Sequence, residues 1–400
     1  MEVQVERIVT RMNLEEGRLE KYGHGGDRVS AAEKFPFHPD QFLDFSANIN
    51  PMGPPPTVYK TMEQAMGRID RYPDPGKRAL TRKLSSLHHM EEDFILVGSG
   101  AAELLSLLFQ AFRPRRVGLL SPSFVEYERM ARIYGAEIVR YVAAVENEYR
   151  PHLQEMLARF EECDLILLGT PNNPTGSVYA REELLHLFAW SQARQILCVL
   201  DEAFIDFLPD QEQATLLPFL RHDSYFLLLR SLTKIYAIPG LRLGYALASP
   251  HMIRRLESFQ VPWSVNLLAQ EVGLACLDEK EYVEQTRVLI QQERSFLNEA
   301  ITERMGWRVY SSAANYLLVR ILDPFTVTDL QEVLGKRGIL IRNASSYVGL
   351  TPFHFRIAVR TRTENARLME EMARARDLLL SRVVSEQAPV LFVKQGEGER

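Results

Sequence analysis

The sequence predicts an α/β protein with a large domain, built on a mostly parallel seven-stranded sheet flanked by helices, and a smaller α+β domain drawn from both chain ends. Three observations carry this expectation. Between Phe94 and Ser249, short apolar runs alternate with amphipathic stretches whose apolar residues recur at three- and four-residue spacings, as in strands covered by helices on both faces. Beyond it, a charged stretch around Glu279–Glu303 has the length and polarity of one long helix. The remaining C-terminal apolar runs are again strand-length and mixed with helical ones.

Taken in chain order, Asn50–Pro56 is Pro-rich, too poor in N–H donors for a helix interior or central strand, and reads as a connection. Strands are expected at Ile95–Val97, Val117–Leu120, Ile138–Tyr141, Leu165–Leu168, Leu197–Leu200, Phe226–Leu229 and Tyr245–Ala248. Helices fall between them, at Ala101–Phe112, Val125–Tyr134 and Arg181–Gln192. Trp263–Leu277 and the long helix follow, then Tyr316–Ile321, Val327–Arg337, Ile339–Ile341, Phe355–Val359 and Glu364–Ser381 form the smaller unit. The expected division is 1–66 for an N-terminal arm and part of the small domain, 67–278 for the large domain, 279–383 for the small domain, and 384–400 for a flexible tail.

Composition narrows the function. Among 400 residues, 47 Lys+Arg against 52 Asp+Glu give a formal charge of -5, so no global positive field exists to hold nucleic acid. No apolar run approaches the roughly 18 residues of a membrane span, and Met1–Arg18 lacks the apolar stretch of a signal peptide. A cytoplasmic protein is expected. Cys163, Cys198 and Cys276 lack the spacing of a zinc site or a disulfide framework and read as buried thiols, so no metal is expected.

Four ordered patches carry chemistry. Gly98-Ser99-Gly100-Ala101-Ala102-Glu103 follows a strand and opens a helix, so its free N–H groups form either an anion cradle or a plain tight turn. The last glycine of a dinucleotide fingerprint is missing. Thr170–Gly176, with Asn172 and Asn173 between prolines, is either a rigid turn or a ligand-facing loop at a strand's carboxyl end. Asp201, ending another strand, is a helix cap or a carboxylate aimed into the crevice. Lys234, just past Phe226–Leu229, is either a solvated surface lysine or an amine placed where burial and nearby cations could lower its pKa, as a Schiff-base lysine requires.

In this order, Asn173-Pro174-Thr175-Gly176, Asp201-Glu202-Ala203, Ser231-Leu232-Thr233-Lys234 and Gly240-Leu241-Arg242-Leu243-Gly244 resemble the pyridoxal 5′-phosphate (PLP) fold-type-I aminotransferase superfamily. The likeness runs from about Tyr22 to about Leu380 and points to the branch of histidinol-phosphate aminotransferases and threonine-phosphate decarboxylases. It implies that Lys234 binds the cofactor covalently and shuttles protons, and that Asp201 pairs with the pyridine nitrogen. Asn173 would bond the ring's phenolic oxygen or lie beside the substrate carboxylate. The cofactor phosphate would rest on Ser99, Gly100, Ala101, Ser231 and Arg242. Phe124 would stack on the ring, and Tyr72 would reach the phosphate in the other subunit of a homodimer.

Within the branch, histidinol-phosphate aminotransferases usually carry Tyr where Phe204 stands. Asp201–Asp206, Tyr22–Gly26 and Asp44–Pro51 look like the decarboxylases. By that likeness His24, Gly25, Asn48, Asn173, Arg342 and Arg356 would bind a small phosphorylated amino acid, O-phosphothreonine, which needs donors for both a carboxylate and a phosphate. Decarboxylation to an aminopropanol phosphate for cobalamin is the first expectation, histidinol-phosphate transamination the second.

Overall fold

The computed structural model describes residues 19–20 and 23–387. Tyr22, most of the N-terminal arm and residues 388–400 of the expected tail lie outside the described residues. The first part of that tail is helical: Arg362–Gln387 is one continuous helix that passes through Val384.

All seven expected strands form, as β2 (Ile95–Gly98), β3 (Arg116–Ser121), β4 (Glu137–Val142), β5 (Leu165–Gly169), β6 (Leu197–Asp201), β7 (Phe226–Ser231) and β8 (Gly244–Ala248). A two-residue strand, β1 (Leu43–Asp44), precedes them. The sheet order is β2-β8-β7-β6-β5-β3-β4, with β8 antiparallel to both neighbours and the others parallel. The continuous apolar runs reflect burial on both faces: alternate residues Leu165, Leu167, Val199, Leu227 and Leu229 pack one way, and Ile166, Leu168, Cys198, Leu200 and Leu228 the other. Each leucine so enclosed contributes on the order of 1.5–3 kcal/mol. Cys163, Cys198 and Cys276 are free and buried, and burial raises all three thiols' pKa values.

After the 26-residue helix Lys280–Met305, a smaller antiparallel sheet forms from β9 (Arg308–Val309), β10 (Tyr316–Arg320), β12 (Arg342–Asn343) and β13 (His354–Ala358), ordered β12-β13-β10-β9. β1 pairs in parallel with β11 (Ile339–Leu340), so the N-terminal segment joins the C-terminal elements. Helix Pro56–Met66 packs on helix Leu267–Cys276. Asn50 fixes the crossing: its buried amide donates to Ile235 O at 2.7 Å and to the hydroxyls of Tyr282 and Thr286 at 2.9 and 2.8 Å. Among the described residues no helix is long and apolar enough to cross a membrane.

Candidate active site

Because β8 runs against its neighbours, β2, β5, β6 and β7 all point their carboxyl ends to one edge of the sheet, where open α/β sheets bind ligands. A cavity of about 710 Å³ lies there, within the usual range for small-molecule sites. Its lining includes His24, Gly25, Asn48, Ala101, Phe124, Asn173, Asp201, Ser231, Lys234, Arg242, Arg342 and Arg356.

Lys234 follows β7 by one turn, on the short helix Leu232–Ile235. Burial, reinforced by the Arg356 and Arg242 cations, pulls its amine down to about 8, while Asp201 opposes this. Asp201 ends β6; its Oδ2 accepts from the Tyr127 hydroxyl at 2.8 Å and its Oδ1 from Ala203 N at 3.0 Å. Burial raises its pKa against those two bonds and Lys234. Behind it, Glu202 accepts from Arg230 Nε at 2.6 Å in a fully enclosed ion pair that fixes the ends of β6 and β7.

Gly100 caps helix Ala101–Phe112 at φ +78°, and a Cβ there would lie 2.8 Å from Arg242 Nη2. The guanidinium therefore rests against the helix N-terminus because that residue has no side chain. Ser231 Oγ lies 2.8 Å from Thr233 Oγ1 beside it. Ser99 differs from expectation: its N–H is taken by the Glu103 carboxylate at 2.5 Å, an N-terminal self-cap that withdraws this donor from the cavity. Ala101 and Ala102 line the cavity instead.

Arg342 and Arg356 are cross-strand partners on β12 and β13. Two opposed guanidiniums repel each other, and both are almost completely buried, so each needs partners. Arg356 donates to Asn173 Oδ1 at 2.5 Å and to Ser46 O at 2.7 Å. Its buried Nε has no partner among the described residues, and burial together with Arg342 pushes its pKa below arginine's usual value. The Arg342 fork is engaged by Glu20 and by Gly23 O, the latter at 2.7 Å, so it clamps the glycine-rich segment as well as facing the cavity. Burial raises Glu20 to about 7, against the pull of Arg342. Asn48 is buried, and its amide oxygen has no partner among the described residues. Gly25 is pressed onto Ser46, where a Cβ would fall 2.1 Å from the carbonyl oxygen.

Tyr72 stands apart. It is 81% exposed and lies against Trp263, the rings tilted and their centroids 4.8 Å apart, outside its own chain's cavity. Phe124 reaches the cavity rim, edge-on to Tyr127 at 5.6 Å. Phe204 lines it edge-on to Tyr316 at 5.0 Å. The sequence patterns assign no role to three groups at the site: Tyr127, Glu126 and Glu20. Glu126 and Tyr127 lie in the first turn of helix Val125–Ile133, capped by Phe124, and both line the cavity, a placement that the helical pattern alone does not reveal.

A buried lysine of lowered pKa, a carboxylate at a neighbouring strand end and a helix N-terminus backed by arginine define an enzyme of the PLP-dependent fold-type-I class. The chain belongs to the aminotransferase class I and II family, which matches residues 40–372. Threonine-phosphate decarboxylase of Salmonella typhimurium is 36% identical over 86% of this chain and 94% of that protein. Histidinol-phosphate aminotransferase of Symbiobacterium thermophilum is 33% identical over 83% and 90%. The crystal structure of L-threonine-O-3-phosphate decarboxylase from Porphyromonas gingivalis superposes with a TM-score of 0.75 at 26% identity, covering 84% of this chain and 99% of that one.

PLP fits the residues present. The Gly100 cradle closes against Arg242 with space only for a bare backbone, and helix N–H groups plus a guanidinium suit a phosphate. The buried Asp201 suits a protonated ring nitrogen, and a lysine held near neutrality suits an aldehyde.

Proposed function

We propose that this protein decarboxylates L-threonine O-3-phosphate to (R)-1-amino-2-propanol O-2-phosphate and carbon dioxide, with PLP as cofactor, supplying the aminopropanol linker of cobalamin. The observation that carries the reading is the meeting, in one cavity with Lys234, of two buried arginines with His24, Gly25 and Asn48. That donor set suits a ligand bearing both a carboxylate and a phosphate. The Salmonella typhimurium relative, named for this reaction, supports it.

When bound, PLP supplies a conjugated electron sink for the pair left as a bond to Cα breaks. In this reading Lys234 holds the cofactor and afterwards carries a proton to Cα. Asp201, kept in place by Tyr127, pairs with the ring nitrogen. Ala101, Ser231 and Arg242 take the cofactor phosphate, with Gly100 leaving them room; Phe124 covers the ring face. Arg356 and Asn173 orient the substrate carboxylate. Their mutual bond matters, because an undivided arginine clamp stabilises the ionised carboxylate before reaction and opposes its loss. His24, the Gly25 N–H and Asn48 take the substrate phosphate, with Arg342 behind them.

We further propose a cytoplasmic homodimer in which Tyr72 completes the partner's site. The exposed Tyr72–Trp263 pair, with exposed Ile69 and Val261 nearby in the chain, supports this interface. Each subunit divides into a large domain and a smaller one from both chain ends. The test offers phosphothreonine alone, then histidinol phosphate with 2-oxoglutarate, and measures carbon dioxide and amino-group transfer. Carbon dioxide from the first and no transfer in the second is expected; transfer without carbon dioxide overturns the reading.

A further inference from the structure

A carboxylate is out of place in a cavity meant for a doubly anionic ligand, yet Glu126 lines it together with Arg129, Arg242, Arg342 and Arg356. Its Oε1 lies 2.8 Å from His24 Nε2. Its side chain is 11% exposed, and its other contacts are two long bonds, 3.3 and 3.4 Å, from Arg129 one turn further along the same helix. Glu126 opens that helix, immediately after Phe124 and Val125, so its backbone is set by the large sheet.

His24 has the opposite character. It sits between Gly23 at φ +79° and Gly25-Gly26, the latter at φ +88°. The backbone is held by Gly26 N donating to Ser46 Oγ at 2.8 Å and by the Arg342 bond to Gly23 O. Neither contact orients the imidazole, which is 41% exposed and lies at a ring separation of 6.0 Å from Phe124, its ring neighbour among the described residues. Flanking glycines contribute no side chains to pack against it. The hydrogen bond from the large-domain helix is what selects a ring position.

We infer that Glu126 is a positioning residue for substrate phosphate recognition, fixing the His24 ring and its tautomer so that Nδ1 is presented to the phosphate. An ionised carboxylate only accepts, so Nε2 must be the donor. With Nε2–H committed to Glu126, Nδ1 carries the variable proton and donates to a phosphate when the ring is cationic. The carboxylate at one nitrogen and the phosphate at the other then share one positive charge, which removes the repulsion Glu126 would otherwise exert on the ligand. The His24 and Arg129 contacts keep the Glu126 pKa low in spite of its burial. The same device would recognise any small phosphate ester, and here it rests on the phosphothreonine reading.

The test combines kinetics with a binding measurement that needs no turnover. Glu126→Gln and Glu126→Ala are made alone and with His24→Ala. Each holoenzyme is assayed for carbon dioxide release from phosphothreonine and titrated calorimetrically with inorganic phosphate. PLP content and melting temperature report folding. Glu126→Gln retains the shape but removes the charge, and should raise both KM and the phosphate Kd about tenfold, the size of one charge-assisted hydrogen bond, while kcat moves far less. In the His24→Ala background neither Glu126 substitution should weaken phosphate binding further. If the Glu126 and His24 effects multiply, or if kcat falls while KM and phosphate binding stay put, the assignment is wrong. Wild-type protein that releases no carbon dioxide, but shows the coupled loss of phosphate binding, overturns the decarboxylase reading and upholds the role of Glu126.

Discussion

Removing one hydroxyl, in Tyr127→Phe, isolates the support for Asp201. The Tyr127 hydroxyl is one of two donors to that carboxylate, at 2.8 Å, and the other is Ala203 N at 3.0 Å. The ring of the variant keeps its edge-on contact with Phe124 and its place in the core. What is lost is a hydrogen bond to a charged, buried acceptor, about 1.5–3 kcal/mol. Burial already raises the Asp201 pKa and the Tyr127 bond lowers it, so the variant's carboxyl moves further up. A carboxyl more readily protonated holds a ring nitrogen's proton less well. PLP affinity should therefore fall about 10- to 100-fold, since 1.4 kcal/mol is a factor of ten, and kcat should fall with it. The assay is spectrophotometric titration of the apoprotein with PLP, followed by turnover at saturating cofactor. Unchanged cofactor affinity together with wild-type turnover would refute the claim that Tyr127 sustains the ionised Asp201.

Three further outcomes are expected. Because the folded protein holds the Lys234 amine at about 8 instead of the usual 10.5, the reactive neutral form is lost as pH falls through about 8; PLP uptake by the apoprotein should rise about tenfold per unit below that point and level off above it, whereas a rise continuing to pH 10 would contradict the lowered value. Gly100→Ala combines a backbone at φ +78° and ψ 165°, a region open essentially to glycine alone, with a Cβ 2.8 Å from Arg242, so it should cost roughly 1–3 kcal/mol of stability from backbone conformation and lower PLP affinity more than tenfold by displacing the guanidinium, as thermal melts and PLP titration would report; wild-type affinity would refute the cradle. Asn173→Ala frees Arg356 to clamp the carboxylate undivided, so kcat should fall on the order of tenfold or more with KM for phosphothreonine unchanged or lower; intact kcat with loss of cofactor affinity alone would place Asn173 on the cofactor instead.

The large sheet was legible because its strands are buried on both faces and so read as uninterrupted apolar runs, Leu165–Leu168 and Phe226–Leu229 among them. Lys234, Asp201 and Gly100 were legible for a related reason, since each directly follows such a run. Four things escaped. Helix Pro56–Met66 docks on Leu267–Cys276, a contact between segments some two hundred residues apart that local patterning does not encode. The withdrawal of the Ser99 N–H required knowing that Glu103 folds back on its own helix start. The engagement of Arg342 by Glu20 and Gly23 joins the two chain ends, and no spacing rule relates them. Glu126 and Tyr127 looked like ordinary residues of an amphipathic helix, and only the placement of that helix against β6 and the His24 loop gives them partners.

The most direct measurement of the central claim is turnover of carboxyl-labelled L-threonine O-3-phosphate by the PLP-loaded protein in deuterium oxide, with no oxoacid present. Stoichiometric labelled carbon dioxide and an aminopropanol phosphate carrying one deuterium at the former Cα are expected, and neither from Lys234→Ala. Retention of the label in the amino-acid pool, with the amino group leaving only when 2-oxoglutarate is added, would contradict that claim.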